Sequence, residues 1–412
     1  MRAGLVRYGV RVMWEKIFED IVRAIVRDGT LHATLPSGRV LVAGSGAPVI
    51  HAKITRTERL AKIVKDPDLG TAEGYMDEEL VIENDDLRGF MGLILGNMRD
   101  GHQHWIQRAH VQVGKHWRRV SQFNPAKKSR ENVAHHYDLS AELYDIFLDK
   151  DRQYSCAYWP DDDISLEEAQ LEKKRHIARK LLIEPGMTVL DIGCGWGGMA
   201  ITLAQEFGAK VVGVTLSDEQ HSLANRRVAE LGLQDQVEIR LQDYREVPET
   251  FDRVVSVGMF EHVGVPHYDE YFGKVRDVLS EDGIALIHTI GRLNPPGTTS
   301  AFIEKYIFPG GYIPALSETI AAVERQQLDQ MDIEVWRLHY AKTLRAWQLR
   351  FEDDIDKVHA LYDERFARMW RYYLVASEMS FVHGHQVVYH LQLAKKKTAV
   401  PITRDYLYAK PE

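Results

Sequence analysis

The stretch LDIGCGWGG, Leu190 to Gly198, decides the fold of this chain. It starts at the end of an apolar run typical of a buried strand, and its glycines alternate with other residues at Gly193, Gly195 and Gly197. Because glycine has no Cβ, such a loop allows the backbone to turn sharply and to approach a ligand closely. The helical pattern GGMAITLAQEFG follows at once, so the stretch predicts a strand, a ligand-binding loop and a helix at the carboxyl edge of a sheet.

The residues beyond this junction alternate between strand and helix patterns. The strand patterns are TVLDIGCG, KVVGVTLS, VEIRLQDY, FDRVVSVGMF and GIALIHTIG, with helical patterns such as DEQHSLANRRVAELG and YDEYFGKVRDVLS between them. This alternation predicts right-handed βαβ units and a doubly wound, mostly parallel α/β sheet. Two late strand patterns, IEVWRLHY and HQVVYHLQLA, flank long helices and predict an antiparallel pair that closes the sheet.

Two features favour S-adenosylmethionine over a dinucleotide as the ligand of the glycine loop. Asp191 stands two residues before the first glycine of a GxGxG pattern. The second strand ends in Thr215-Leu216-Ser217, where a dinucleotide site would have the acid that binds the ribose. The sheet is therefore predicted to be of the class I methyltransferase type.

The remaining contacts with this cosubstrate are predicted from the ends of the next elements. Since the ribose-binding acid is missing, Gln220 at the start of the following helix is the candidate ribose contact, beside Thr215. Asp243 follows the third strand, where it is placed to accept a hydrogen bond from the adenine amine, and Tyr244 is placed to cover the ring.

Composition excludes several classes of function. The net charge of −8 is unfavourable for a nucleic-acid-binding protein that depends on bulk charge. No apolar run approaches the roughly 18 residues of a membrane span, and charged residues interrupt the N-terminal stretch where a signal peptide would be apolar. The two cysteines lack CxxC spacing, which argues against a disulfide framework and a structural zinc site. We therefore expect a cytoplasmic protein without a metal.

The chain of 412 residues is long enough for two domains. In its first part, WEKIFEDIVRAIVRDG predicts a helix and GTLHATLPSGRVLVAG a hairpin turned at Pro36-Ser37-Gly38. The helix-length stretch LRGFMGLILGNM is either the core of a small domain or a contact with lipid. We predict a smaller N-terminal α+β domain at 1–105, a basic linker at 106–134 and the methyltransferase domain at 135–412.

Residues 102–130 have an unusual charge pattern. They contain seven basic side chains and two tryptophans, Trp105 and Trp117, and no acid. Basic side chains among tryptophans suit an anionic membrane surface, since indole rings lie at headgroup depth. The alternative is a solvated connecting helix. The four histidines of the segment have no acidic partner nearby in sequence, so a metal site there is not favoured.

Seven motifs in fixed order closely resemble the cyclopropane-fatty-acyl-phospholipid synthase family: HYDLS, QYSCAYW, DIGCGWGG, GVTLSDEQ, MFEHVG, IHTIG and KYIFPGGYIP. The resemblance is strong from about residue 130 to 395 and weak over the first hundred residues. It implies the transfer of a methylene group from S-adenosylmethionine to the cis double bond of an unsaturated phospholipid acyl chain. It also implies an N-terminal lipid-binding domain, peripheral contact with the inner face of the membrane, and a homodimer.

The resemblance further implies that a bicarbonate ion acts as general base. Its ligands would be the side chains of Cys156, Glu261, His288 and Tyr340 and the backbone of Ile290. The same resemblance places Tyr154 and Ser155 beside the cosubstrate. Glu261 beside an anion is reasonable if the two share a proton, because two like charges repel. Cys156 would be a neutral weak donor, since a nucleophilic thiol beside a sulfonium would be alkylated.

The chemistry explains these residue types. An isolated alkene is a poor nucleophile, so a methyl sulfonium alkylates it only when the two are held close, aligned and dry. The transfer leaves a carbocation, and ring closure needs a base that takes a proton from the added methyl group. Aromatic faces stabilise such a cation without reacting with it. The aromatic residues available are Tyr154, Tyr158, Tyr306, Phe308 and Tyr312.

Three alternatives remain. A related fatty-acyl methyltransferase would convert the same carbocation to a methyl-branched or methylene product. A lipid-binding module that has lost catalysis is less favoured, because the anion-site residues are all present. A methyltransferase of small metabolites is least favoured, since it would need neither the cysteine-containing segment nor the N-terminal domain.

Overall fold

The structure is a computed structural model that describes residues 2–99 and 140–408. The strands in this part of the chain are β1 (Asp28–Thr34), β2 (Val40–Ile54), β3 (Leu80–Ile82), β4 (Thr188–Ile192), β5 (Lys210–Thr215), β6 (Val237–Leu241), β7 (Phe251–Val257), β8 (Leu279–Arg292), β9 (Asp329–Trp336) and β10 (Gln386–Ala394). The helices are α1 (Arg2–Ile25), α2 (Thr57–Lys65), α3 (Pro67–Met76), α4 (Leu87–Arg99), α5 (Ala141–Phe147), α6 (Leu166–Lys180), α7 (Gly198–Phe207), α8 (Asp218–Glu230), α9 (Tyr268–Val278), α10 (Leu316–Arg325), α11 (His339–Asp353), α12 (Ile355–Leu361), α13 (Glu364–Val382) and α14 (Asp405–Tyr408). None of these helices combines the length and the apolarity that crossing a membrane requires.

The described residues form two compact units, and neither is continuous in sequence. The N-terminal unit comprises 2–99, Thr298–Ile307 and Leu344–His385. The second unit comprises the rest, 140–297, 308–343 and 386–408, and is called the catalytic unit because it contains most of the predicted methyltransferase domain. The predicted domains are contiguous, whereas two later stretches of the chain belong to the N-terminal unit. Its predicted basic linker, 106–134, lies outside the described residues.

The sheet of the N-terminal unit is antiparallel, with strand order β1-β2-β3. The predicted hairpin is confirmed: Thr34 pairs with Val40, and the N–H of Gly38 donates to the carbonyl of Leu35 across the turn at 2.8 Å. Glu15 of α1 accepts hydrogen bonds from the N–H and the hydroxyl of Ser37 at 2.9 and 2.8 Å, which joins the helix to this turn.

Helix α4 supplies part of the core of the N-terminal unit. Leu87, Phe90, Met91 and Leu93 are all buried. The core interpretation of this stretch is therefore confirmed for these four side chains, and a lipid contact through Phe90 or Leu93 would require their exposure. Asn97, near the end of the helix, accepts a hydrogen bond from the N–H of Asp28 at 2.9 Å and so ties α4 to β1.

The catalytic unit contains a seven-stranded sheet of order β6-β5-β4-β7-β8-β10-β9. The first five strands in this order are parallel, whereas β10 pairs antiparallel with both β8 and β9. This confirms the predicted doubly wound sheet closed by two antiparallel strands. One boundary differs from the prediction: β9 ends at Trp336 and α11 begins at His339, so Tyr340 lies on a helix and not on a strand. The strand ends there because the pairing of β9 with β10 ends at Trp336.

Both faces of this sheet are covered. Successive residues of β7 alternate between two apolar layers, with Val254 in the layer under α9 and Val255 in the layer under α7. Burial on both faces explains why these strands are nearly continuous apolar runs in the sequence. The strand order reverses between β4 and β7, and ligands of such sheets bind outside the carboxyl ends of the strands at this point. The loop that follows β4 lies there.

Candidate active site

The loop after β4 holds each of its three alternating glycines at positive φ: +78° at Gly193, +55° at Gly195 and +81° at Gly197. A Cβ would lie 3.1 Å from the side chain of Met259 at Gly193, and 3.1 Å from Cβ of Ala224 at Gly197. At Gly195, no described atom lies within 4 Å of the position of a Cβ, so the loop borders open space. All three positions therefore require a conformation that favours glycine, and Gly195 leaves room for a ligand.

Asp191 lies in β4 immediately before this loop. Its carboxyl is almost fully buried, and burial raises its pKa to about 7. Among the described residues, its Oδ2 atom has no hydrogen-bond partner. Buried polar atoms are normally paired, so this oxygen fits a ligand that brings a donor, such as the amino group of S-adenosylmethionine.

The end of β5 brings together two of the predicted cosubstrate residues. The hydroxyl of Thr215 donates to Oε1 of Gln220 at 2.8 Å, and both residues are buried. Ser217 caps α8 by accepting a hydrogen bond from the N–H of Gln220 at 3.3 Å. The cap positions Gln220 in the first turn of α8, directly after the strand end.

Asp243 follows β6 as predicted, but it has a partner that the sequence analysis did not anticipate. Arg245 binds its carboxylate with two nitrogens, Nε to Oδ1 at 2.9 Å and Nη2 to Oδ2 at 2.6 Å. The backbone N–H of Arg245 donates to the same carboxylate at 3.0 Å. Tyr244 packs edge-on against Tyr271, with 5.6 Å between the ring centroids.

The segment that contains Cys156 has no regular secondary structure, and α6 holds its first half. Gln170 donates to the carbonyl oxygens of Gln153 and Ser155 at 3.1 and 3.0 Å. The ammonium group of Lys173 donates to the hydroxyl of Ser155 at 2.8 Å. Gln170 and Lys173, which are not among the predicted site residues, thus hold the chain on either side of Tyr154.

The second half of this segment is held by α11. The hydroxyl of Thr343 accepts hydrogen bonds from the N–H of Ala157 and from Nε1 of Trp159, both at 3.1 Å. Tyr340 lies three residues earlier on the same helix, and residues at this spacing share a helix face. The helix that carries Tyr340 is therefore bonded to the cysteine-containing segment.

Cys156 is fully buried, and burial raises the pKa of its thiol well above the usual range. A thiol that stays protonated is a poor nucleophile, which suits the predicted neutral donor. Lys173 is also fully buried, which lowers its pKa to about 7. Its positive charge lowers the pKa of Cys156, of Asp191 and of His288.

Glu261 lies in a short 3₁₀ turn, Phe260–His262, after β7. Its Oε1 accepts the N–H of Ile290 at 2.7 Å, while Oε2 is buried and has no hydrogen-bond partner among the described residues. Burial raises the pKa of this carboxyl to about 7. The structure thus joins two of the predicted anion ligands, and the backbone of Ile290 binds Glu261.

His288 belongs to a row of polar side chains that crosses three neighbouring strands. His288 in β8 lies opposite His390 in β10, and His390 lies opposite Glu334 in β9. Directly opposite residues project from the same face of a sheet. Nδ1 of His288 and Nε2 of His390 are 2.7 Å apart, and His176 of α6 bonds Glu334 at 2.9 Å.

Burial keeps the histidines of this row neutral, because it lowers the pKa of both His288 and His390 far below the usual range. Ligand atoms of His176, Glu334 and His390 lie within 4.8 Å of one another, which is close enough for a metal ion. However, the ammonium group of Lys180 lies 2.6 Å from Glu334 and already supplies a positive charge there. The cluster was not anticipated from the sequence.

The structure brings together only some of the aromatic residues named above. Tyr154 lies 6.2 Å from Phe308, measured between ring centroids. Tyr158 instead stacks on His176 at 4.4 Å, and buried Tyr312 bonds Glu318 through its hydroxyl at 2.7 Å. Tyr306 belongs to the N-terminal unit, where its hydroxyl bonds Glu73 at 3.1 Å.

Sequence reasoning missed Gln170, Lys173, Thr343 and His390. The first two lie in LEEAQLEKKRHIARK, whose many charges suggest a solvated helix, although both side chains are fully buried. The alternation of HQVVYHLQLA predicts that His390 lies on a strand. Which residue lies opposite His390 depends on a strand register that one sequence does not reveal.

The fold and the glycine loop together define a class I S-adenosylmethionine-dependent methyltransferase. A solved structure of the mycolic acid cyclopropane synthase CmaA1, complexed with SAH and CTAB, is similar to this chain with a TM-score of 0.61. The two are 32% identical, and the match covers 64% of this chain and 97% of the other. SAH is the form that S-adenosylmethionine takes once its methyl group has been transferred.

A family model described as mycolic acid cyclopropane synthetase matches residues 124–391, and the chain belongs to this family. The cyclopropane-fatty-acyl-phospholipid synthase of Escherichia coli (strain K12) is 39% identical over 345 residues, which are 83% of this chain and 87% of that protein. A probable fatty acid methyltransferase of Pseudomonas putida is 42% identical over 291 residues, 68% of this chain and 73% of the relative. The family resemblance of the motifs is thereby confirmed, and the protein is an enzyme of S-adenosylmethionine-dependent methylene transfer to lipid.

Proposed function

We propose that this enzyme adds a methylene group across the cis double bond of an unsaturated phospholipid acyl chain and forms a cyclopropane ring. The name of the Escherichia coli relative, which matches most of both chains, supports this substrate. The motifs YSCAYW and KYIFPGGYIP support the same assignment.

The observation that carries the proposal is the state of Glu261. A buried carboxyl with a pKa near 7 and an unpaired Oε2 can hold a proton and share it with a neighbouring anion. Bicarbonate is such an anion, and its other side-chain ligands would be Cys156, His288 and Tyr340. Ile290 orients Glu261 through its N–H and would reach the anion only when Glu261 releases that bond.

S-adenosylmethionine supplies the electrophilic methyl group when it is bound. The π electrons of the alkene form the new bond to this methyl carbon, and the pair of the broken carbon–sulfur bond remains on sulfur. The base then takes a proton from the added methyl group, and the electrons of that carbon–hydrogen bond close the ring. Bicarbonate held by Cys156, Glu261, His288 and Tyr340 would supply this base.

The residues of the chain would contribute position and electrostatics. The loop at Gly195 and the oxygen of Asp191 would hold the cosubstrate, and the rings of Tyr154 and Phe308 would stabilise the cation through their faces. The neutral state of Cys156 keeps the thiol from competing for the methyl group.

Access to the substrate is part of the proposal. The double bond lies below the headgroups of a bilayer, so the enzyme would bind peripherally at the inner membrane face, with residues 102–130 as the contact. Their seven basic side chains and two tryptophans support this. A homodimer remains part of the same expectation.

A second outcome is a methyl-branched or methylene fatty acid. The relative from Pseudomonas putida, named a probable fatty acid methyltransferase, supports this alternative. Both products arise from one carbocation and differ in which proton is lost or whether the cation is reduced.

The test is to identify the product. Purified enzyme is incubated with S-adenosylmethionine carrying a ¹³C methyl group and with vesicles of unsaturated phospholipid, in buffer with and without bicarbonate. We expect ¹³C in a cyclopropane methylene, and less product when bicarbonate is removed. A labelled branch or exocyclic methylene would support the second outcome, and unlabelled lipid would contradict both. Equal rates with and without bicarbonate would contradict the proposed base.

A further inference from the structure

His288 and His390 form a buried pair whose hydrogen bond has a direction. Nδ1 of His288 and Nε2 of His390 are 2.7 Å apart, and both rings are buried on adjacent strands. Each ring is neutral, so each has one N–H group and one nitrogen lone pair. One histidine must therefore donate and the other accept, and the choice determines what the second nitrogen of each ring presents.

Which of the two histidines donates follows from which nitrogen of each ring carries the hydrogen, and this step rests on the proposed function. In the proposed site an anion oxygen beside Nε2 of His288 accepts a hydrogen bond from the ring, and a neutral ring can donate there only if Nε2 carries the hydrogen. Nδ1 of His288 is then a lone pair, and the donor in the 2.7 Å contact must be Nε2 of His390.

We infer that His390 is a positioning residue that holds His288 in the tautomer with its hydrogen on Nε2, and so makes His288 a donor toward the anion. His390 does this without touching the reacting groups. Nothing in the family motifs points to it, because it lies 102 residues after His288 and meets it only through the pairing of β8 with β10.

The surroundings of His390 agree with this direction. Its Nδ1 is buried and has no hydrogen-bond partner among the described residues. In the inferred tautomer this atom is an unpaired acceptor, whereas the opposite tautomer would leave an unpaired N–H group, which proteins tolerate less often.

The test uses the full-length enzyme with His390→Gln and His390→Leu. A glutamine amide can place an N–H donor near the position of Nε2, whereas leucine fills the space without a donor. We expect His390→Gln to stay within about tenfold of wild-type turnover. His390→Leu should lose between about tenfold and 10⁴-fold, the upper figure being the loss caused by a wrong histidine tautomer in a serine protease. Binding of SAH, measured by calorimetry, should be unchanged in both variants.

Nitrogen NMR provides a readout independent of turnover. In protein labelled with ¹⁵N-histidine, protonated and unprotonated ring nitrogens have widely separated shifts, and the signals of His288 are identified by their loss in His288→Gln. With bicarbonate present, we expect a protonated Nε2 and an unprotonated Nδ1 in the wild type and in His390→Gln.

Two results would overturn the inference: a hydrogen on Nδ1 of His288 in the wild type, or wild-type turnover in a folded His390→Leu. If the leucine variant does not fold, the spectra of the wild type and the glutamine variant still decide. Failure of the proposed function can be told apart from failure of this inference. If the wild type makes no cyclopropane, its NMR spectrum still shows which nitrogen of His288 carries the hydrogen.

Discussion

Glu261 should make the stability of the protein depend on pH. Burial holds this carboxyl neutral up to a pKa of about 7, whereas the unfolded chain ionises it near 4.5. Between these values the folded state binds more protons, so the free energy of unfolding falls as the pH rises and levels off above about 7. The shift corresponds to at most about 3 kcal/mol, since each pKa unit is worth about 1.36 kcal/mol.

Comparison with Glu261→Gln isolates this contribution from that of Asp191, whose raised pKa acts in the same direction. The amide stays neutral and can still accept the N–H of Ile290. Denaturant unfolding of both proteins between pH 4.5 and 8 should show the wild type losing stability relative to the variant as the pH rises. A difference that is the same at every pH would mean that the folded carboxyl ionises normally.

Glu261→Ala and His288→Ala should each lower turnover by about 10²–10⁴-fold, the usual contribution of a positioned acid–base group. Affinity for SAH should change little, because the proposed role of both residues lies on the acceptor side of the site. Initial rates on phospholipid vesicles and calorimetry with SAH measure the two effects. His359→Ala, which changes an exposed histidine of the N-terminal unit, is the matched control. Near-normal turnover in both test variants would remove them from the catalytic site.

For single residues, the sequence predicted which residue types the site contains better than it predicted which residues they contact. The family motifs implied that Glu261 and Cys156 belong to one anion site, whereas their burial is a finding of the structure. The bidentate contact of Arg245 with Asp243 was not predicted, because side chains two residues apart can also diverge. Lys173 was missed since a lysine is almost never fully buried, and only the three-dimensional site explains the exception.

The loop between β4 and α7 is the element most sensitive to substitution. Gly195 has a φ of +55°, which a β-branched residue adopts only with strain, while asparagine adopts it more readily. Gly195→Val should therefore reduce SAH affinity more than tenfold, and Gly195→Asn should reduce it less. Calorimetry measures both, and circular dichroism checks that the variants are folded.

Comparing the loss of SAH affinity in the two variants distinguishes a need for the backbone conformation of Gly195 from a need for empty space beside it. If asparagine is as harmful as valine, the ligand needs the volume beside Gly195 and the backbone conformation is secondary. If valine binds SAH as tightly as the wild type, the loop does not contact the ligand.

Helices and strands with a strong hydrophobic period were predictable from the sequence, whereas the residues at which they end were not. Four of the five parallel strands of the catalytic unit were located from apolar runs because both of their faces are buried, whereas the edge strand β6 was located from the alternation of VEIRL. The end of β9 was misplaced by four residues, since RLHY continues the strand-like composition after the pairing with β10 has stopped at Trp336. The register that puts His390 opposite His288 depends on contacts across 102 residues of chain.

For the molecule as a whole, the proposed membrane contact predicts a salt-sensitive association. Each basic side chain near an anionic surface contributes about 1 kcal/mol. Changing Arg118, Arg119, Lys127 and Lys128 to glutamine should therefore sharply reduce sedimentation with anionic vesicles, and high salt should reproduce the effect by screening. Turnover of detergent-dispersed substrate should be retained. These four residues lie outside the described part of the chain, so the prediction rests on the sequence.

A matched control removes the same charge elsewhere. Lys16, Lys62, Arg325 and Lys357 are each more than half exposed in the described chain. The corresponding quadruple glutamine variant should keep most of its vesicle binding. Equal losses in the two variants would show that net charge matters and position does not.

The division into units was the feature of the whole molecule least accessible from sequence. The change to alternating strand and helix patterns near residue 185 correctly predicted where the sheet of the catalytic unit begins. Nothing in the composition of α13 assigns it to the first hundred residues, because its apolar face would serve equally well against either unit. Its place is decided by specific contacts, such as the ion pair of Glu378 with Arg88 at 2.9 Å.

This arrangement matters while the protein is being made. Arg88 leaves the ribosome 290 residues before Glu378, and at about 5–20 residues per second the delay is roughly 15–60 s. Tyr75 is made slightly longer before its partner Tyr372, whose ring lies 6.0 Å away in the finished unit. Throughout that interval the nascent α3 and α4 lack the cover that α13 supplies, and transiently exposed apolar surface of this kind is prone to aggregation. The first part of the chain to be synthesised is thus among the last to complete its fold.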